Sequence, residues 1–300
     1  MTVAMSVPGD RSGVAADVAA DRKAGASRTD ATAGAARIHA AFGSARASGR
    51  IALMPYVVAG YPDASRSFEA ALAVIDAGAD VLEIGLPYSD PLADGTTLQR
   101  ASAAALRGGA TLDASLALVE RVASARPRVP LVPMGYANQL IGGGDGARQA
   151  KRLADAGAAG LIVPDLTPDE GAPFEAVAAR NGLALVYLVA PTTPAERRVA
   201  IAARTGGFLY LVSLVGVTGA RRSLDRRVSR LVREVVAVSP VPVAVGFGVS
   251  RPGHVRSLVA AGADGVVVAS ALVDALGPDG TDLARLARLA AELRAATSRQ

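Results

Sequence analysis

The feature that most constrains the fold is an alternation of short aliphatic runs with Ala-rich amphipathic segments. Eight such runs recur: IALMPYVV (51–58), DVLEIGL (80–86), VPLVPMGY (129–136), GLIVPD (160–165), LALVYLV (183–189), GFLYLVS (207–213), VPVAVGFG (241–248) and DGVVVAS (264–270). Their hydrophobicity is nearly continuous. A strand with one wet face would alternate, so these runs predict strands covered on both faces, as in a parallel sheet clad in helices. The intervening stretches 65–78, 146–157, 168–182 and 251–262 read as helices that stop at glycine, the residue that best tolerates the left-handed turn after a last helical residue. Three of these stops lead into an echo: AGADVL at 77–82, AGAAGL at 156–161 and AGADGV at 261–266. A repeated strand–helix unit leaves such a trace.

Eight units in 300 residues fit a (β/α)8 TIM barrel, a fold of about 250 residues, better than an open doubly wound sheet. No GxGxxG follows the first run, which weakens a dinucleotide-binding reading. The expected organisation is one α/β catalytic domain over 37–300, preceded by a disordered extension over 1–36. That extension has no apolar stretch of a secretory signal, and Asp10, Asp17, Asp21 and Asp30 are at odds with a transit peptide.

Composition removes several chemistries. The chain has no Cys, hence no disulfides, no thiolate metal site and no cysteine nucleophile. Its two histidines are His39, expected on a surface helix, and His254, expected in a helix after the seventh run and away from the barrel mouth. Neither is assigned to catalysis, and no metal site is expected. The net charge of +5 suggests nucleic acid at first sight. The arginines of 221–234 interleave with Asp225 and Glu234, however, which reads as a solvated helix face, and aromatics are too few for stacking platforms. No apolar run approaches the roughly 18 residues that span a bilayer. A cytoplasmic enzyme that binds neither nucleic acid nor membrane is expected.

A TIM barrel keeps its active site at the C-terminal ends of the strands. The second run carries Glu83 among aliphatic residues, where an unpaired charge costs several kcal/mol or forces protonation. A Glu83 aimed into the mouth would have a raised pKa and be poised for proton transfer. The alternative is a Glu paired with an Arg across the barrel. The loop 87–99 that follows is long and holds Asp90 and Asp94; Asp94–Gly95 can turn a carboxylate over the mouth, whereas Asp90, before Pro91, can simply cap a turn. Two carboxylates in different environments can divide acid and base roles.

The C-terminal runs point to an anion. GVTGA (216–220), GFG (246–248, with Phe247 and Gly248) and Ala269–Ser270 follow runs six, seven and eight, where this fold binds phosphate through backbone amides and helix N-termini. Tyr56, Tyr136 and Tyr210 read first as core packing, and LIGGGDG (140–146) as a flexible link.

LEIGLPYSDPLADGTTLQ (82–99) closely resembles the signature of the tryptophan synthase alpha chain family. MPYVVAGYPD (54–63), MGYAN (134–138), GLIVPDL (160–166), YLVSLVGVTGAR (210–221) and VGFGVS (245–250) do so in the same order, over about residues 37–295. The resemblance implies retro-aldol cleavage of indole-3-glycerol phosphate to indole and glyceraldehyde 3-phosphate. It assigns proton transfer to Glu83 and the indole N–H to Asp94. It places Tyr56, Leu98 and Met134 on the indole-pocket wall and Tyr210 and Thr218 in a mobile loop region. Gly219, Phe247, Gly248, Ala269 and Ser270 would grip the phosphate. It further implies no cofactor in this chain, and a pyridoxal-phosphate beta chain as partner in an αββα assembly, with contacts near Ser89–Asp90–Pro91. Ala269 stands where the family usually has Gly, Thr96 where it has Pro, and Thr167 where DLP is usual. A stand-alone lyase and a non-catalytic regulatory subunit are the competing readings.

Overall fold

A computed structural model describes residues 30–212, 226–246 and 248–299 of the chain. The strands are β1 (Ala52–Val58), β2 (Leu82–Gly85), β3 (Leu131–Met134), β4 (Gly160–Ile162), β5 (Ala184–Val186), β6 (Leu188–Val189), β7 (Leu209–Val212), β8 (Val243–Gly246) and β9 (Gly265–Val268). They form one parallel sheet in the order β5-β4-β3-β2-β1-β9-β8-β7-β6. The nine segments are the eight expected runs, with the fifth split at Tyr187. The Tyr187 amide donates to Thr205 Oγ1 at 2.9 Å and so leaves the strand ladder for one residue. On either side of that residue β5 pairs with β4 and β6 with β7, so residues 184–189 join the two ends of the sheet and close the barrel. β1, β2, β3, β8 and β9 are buried along their whole length, as continuous hydrophobicity requires once helices cover the sheet.

The four helix stops are glycines with positive φ: Gly78 (108°), Gly157 (92°), Gly182 (74°) and Gly262 (86°). A side chain there would cost about 1 kcal/mol or more. The sequence echo also has a structural reason. The Asp80 amide donates to the Leu53 carbonyl at 2.9 Å, while its carboxylate accepts the Leu53 amide at 2.8 Å. Asp264 makes the same pair of bonds to Val243, each at 3.0 Å. Ala159 keeps only the backbone half, to Leu131 at 2.8 Å. Each echo thus fastens the start of one strand to the start of the preceding one, and in two of the three an Asp also supplies an acceptor for the amide at that strand start.

Helix Ala33–Ala47 plugs the barrel at the strand starts. Phe42 lies against Gly265 and Ile38 against Gly160 and Gly207. This helix begins inside the segment set apart as an extension. Thr32 caps it by accepting the Ala35 amide, the Asp30 carboxylate accepts the Gly207 amide at 2.9 Å, and the Gly34 amide donates to Gly182 at 2.9 Å. Residues 30–36 therefore pack with the barrel. The contact was invisible as hydrophobic periodicity because it depends on smallness: a Cβ on Gly34 would sit 1.8 Å from the Ala159 carbonyl oxygen. Residues 1–29 lie outside the described residues. His39 sits on this helix, half-exposed, as expected. Helix Arg226–Val238 buries Val228, Leu231, Val232 and Val235 and turns Arg226, Arg227, Arg230 and Arg233 outward, a solvated face as expected for 226–234, while 221–225 lie outside the described residues.

Candidate active site

A cavity of about 220 Å³ opens at the C-terminal ends of the strands. Its wall includes Tyr56 from β1, Glu83 from β2, Met134 from β3, Leu188 from β6 and Tyr210 from β7, together with Asp94 and Leu98 from the loop and helix after β2. Gly248, Val249 and Ser250 after β8 and Ala269 and Ser270 after β9 also line it. The parallel register explains the convergence. Tyr56 lies opposite Glu83, Gly85 opposite Met134, and Leu188 opposite Tyr210, all toward the C-terminal ends of their strands.

Glu83 is 1% exposed, and its Oε2 has no hydrogen-bond partner among the described residues. Among the described residues no ion pair joins it to an Arg. Burial, and secondarily the charge of Asp94, pushes its pKa up from 4.5 to about 8. Asp94 is less deeply placed. Burial raises its pKa to about 6, and a hydrogen bond from Tyr136 works in the opposite direction. Near pH 7 the pair therefore presents one protonated and one ionised carboxyl. Tyr56 and Tyr210 are held neutral: burial comes first, and the two carboxylates add to it.

Two glycines make room for those phenols. A Cβ on Gly85 would stand 1.7 Å from the Tyr56 hydroxyl, and one on Gly246 would stand 2.4 Å from the Tyr210 hydroxyl. Gly246, read in the sequence as part of an anion-binding GFG, thus serves Tyr210. Gly248, with φ of 77°, lines the cavity. At Ala269 φ is −115°, outside the left-handed region that would call for the glycine the family usually has there. Thr218, Gly219 and Phe247 lie outside the described residues.

Tyr136 was read as core packing, and the structure corrects this. Its hydroxyl accepts the Ala93 amide at 3.0 Å and hydrogen-bonds the Asp94 carboxylate, while its ring stacks on Tyr88 with centroids 5.2 Å apart. Tyr136 thereby aims Asp94 and holds the loop that carries it. Tyr136→Phe is expected to raise the Asp94 pKa further, moving the acidic limb of the rate profile to higher pH and lowering kcat/KM about tenfold. An unmoved acidic limb would refute this role for Tyr136.

His254 also needs correcting. It is 7% exposed on helix Pro252–Ala261, and its Nδ1 lies 3.1 Å from the Gly248 carbonyl and 3.3 Å from the Ser250 amide. It therefore supports the cavity-lining loop rather than standing away from the mouth. Asp274, another wall residue, accepts from Thr97 Oγ1 and Arg100, each at 3.2 Å, and so links the helix after β9 to the helix after Asp94. No local pattern marks Asp274, since its partners lie more than 170 residues away. Among the described residues no three His, Asp or Glu side chains come together as a metal site. No helix among them is long and apolar enough to cross a membrane.

The family model described as tryptophan synthase alpha chain matches residues 42–298. The tryptophan synthase alpha chain of Roseiflexus castenholzii is 47% identical over 231 residues, covering 77% of this chain and 88% of that one. That of Roseiflexus sp. is 46% identical over 253 residues, covering 83% and 95%. Among solved structures, a chain of Mycobacterium tuberculosis tryptophan synthase superposes with a TM-score of 0.79 at 42% identity, covering 87% of this chain and 98% of its own. A mutant alpha-subunit from Pyrococcus furiosus gives 0.76 at 35% identity, covering 82% and 99%. With the barrel and these matches in agreement, the chain belongs to the tryptophan synthase alpha chain family.

Proposed function

We propose that Glu83 and Asp94 divide the work of this family's alpha reaction, the retro-aldol cleavage of indole-3-glycerol phosphate to indole and glyceraldehyde 3-phosphate. The chain is a carbon–carbon lyase. Glu83, still protonated near neutrality, donates its proton to indole C3. Positive charge then develops on the ring nitrogen, and the ionised Asp94 carboxylate accepts the indole N–H and stabilises that charge. The Glu83 carboxylate takes the proton of the glycerol hydroxyl, the bond to C3 breaks with its electrons returning to the ring, and the former alcohol leaves as the aldehyde. Tyr56, Leu98 and Met134 flank the indole, and Tyr210 and Thr218 are assigned to substrate binding. Gly219, Phe247, Gly248, Ala269 and Ser270 take the phosphate.

The observation that carries this reading is Glu83 itself: a buried carboxyl whose Oε2 has no partner among the described residues, on the wall of a cavity shared with a second carboxyl of lower pKa. Such a group adds nothing to folding and is suited to exchanging protons with a ligand. The chain works without a cofactor of its own, in the cytoplasm, and pairs with a beta chain that carries pyridoxal phosphate. Leu92 supports the pairing: it is 92% exposed, beside Asp90, Tyr88 and Tyr136, an apolar side chain that a partner would cover.

The deciding assay is indole release from indole-3-glycerol phosphate, with and without a beta chain. Turnover that the beta chain raises is expected. No indole under either condition would sink the reading, and release indifferent to the beta chain would remove the partner. Asp94→Asn keeps the turn but loses the charge, and is expected to slow release by roughly 10²-fold. A wild-type rate would reduce Asp94 to a turn residue.

A further inference from the structure

His254 takes no part in the chemistry above, yet its Nδ1 reaches two backbone groups of the loop leaving β8: the Ser250 amide at 3.3 Å and the Gly248 carbonyl at 3.1 Å. Gly248 and Ser250 both line the cavity. One ring nitrogen cannot serve both. Bare, Nδ1 accepts the Ser250 N–H; protonated, it donates to the Gly248 oxygen. A neutral imidazole passes between these states when a proton leaves one ring nitrogen and the other gains one through solvent. In the first state the Ser250 amide is occupied. In the second it is released to another acceptor, while the Gly248 carbonyl, which would repel an anion, is neutralised by a donor.

We infer that His254 is a positioning residue for the phosphate end of the site, holding the Ser250 amide until an oxygen of the substrate's phosphate takes it. The inference rests on the placement of phosphate at this loop. It accounts for a polar side chain buried on a helix whose other inward residues, Val255, Leu258 and Ala261, are apolar.

Three measurements on the full chain test it: steady-state kinetics, calorimetric Kd for inorganic phosphate, and the ¹⁵N resonance of His254 Nδ1. His254→Leu removes both contacts, each a single hydrogen bond. It is expected to raise KM and the phosphate Kd about three- to tenfold, with kcat within about twofold. His254→Asn, whose amide offers a donor and an acceptor at similar reach, should recover most of this. In the unsubstituted protein, saturating phosphate should move Nδ1 from the bare to the protonated range. A Leu variant with wild-type KM and Kd, or one that loses kcat alone, overturns the inference. Should that variant fail to fold, an Nδ1 signal unchanged by saturating phosphate overturns it. The resonance and the phosphate Kd need no turnover, so absent indole release sinks the lyase reading without deciding this one.

Discussion

Glu83→Gln is expected to lose about 10³-fold in kcat for indole release while KM stays within about threefold. Gln has the shape of Glu and fills the same buried space, so substrate contacts persist while the transferable proton is gone. Substantial residual turnover would remove Glu83 from proton transfer. The same substitution has a stability signature of a sign that a structural role cannot produce. The unfolded chain releases the Glu83 proton near 4.5, and the folded chain keeps it until about 8. Between those values the folded state binds more protons than the unfolded one, so wild-type stability falls as pH rises from about 4.5 to about 8. Gln has no proton to lose. The variant should therefore be more stable than wild type above pH 8, with the difference shrinking to nothing below 4.5. A Glu paired with an Arg would give the reverse, a variant less stable at neutral pH. Wild-type kcat/KM should meanwhile fall above about 8, where Glu83 gives up its proton, and below about 6, where Asp94 becomes neutral.

The largest stability effect is expected at the other end of the barrel. Asp80 takes a bidentate bond from Arg50 at 2.6 and 2.7 Å and also accepts the Leu53 amide; the two side chains are 10% and 9% exposed. Asp80→Ala would leave a buried guanidinium without its counter-charge and a strand amide without an acceptor. Breaking one side of such a pair costs about 3–5 kcal/mol. In a barrel of this size that is a fall in Tm of roughly 10 °C. Indole release at low temperature should survive, since the pair lies at the strand starts and the cavity at the strand ends. A shift of only a degree or two would mean that Arg50 finds another partner or water. Asp80→Asn, which keeps the amide acceptor, should fall between the two and separates the charge from the hydrogen bond.

How much of this was legible before the fold was known differs from residue to residue. Glu83 could be found because a charge inside a continuous apolar run is a local contradiction, and sequence shows local contradictions. Asp94 could be found because its loop is too long and too polar for a plain connection. The Gly78, Gly157, Gly182 and Gly262 stops were legible for the same reason, each being the residue type that best suits its backbone. Tyr136 was misjudged because a tyrosine at a strand end packs a core in most settings, and only the folded loop shows Ala93 and Asp94 on its hydroxyl. His254 was misjudged because position in a helix says nothing of which loop folds back against it.

Hydrophobic period, glycine punctuation and one misplaced acid determined the parallel barrel, its handful of catalytic candidates and the end of the sheet at which they gather. These are properties of neighbours along the chain, and local steric and solvation preferences write them directly into residue order. Only the tertiary structure decided that Glu83 has no protein partner among the described residues, that Gly85 and Gly246 exist for the rings of Tyr56 and Tyr210, and that residues 30–36 belong to the plug. Those facts depend on distances between residues far apart in sequence, and a small residue that allows a close approach leaves no hydrophobic signal to announce it.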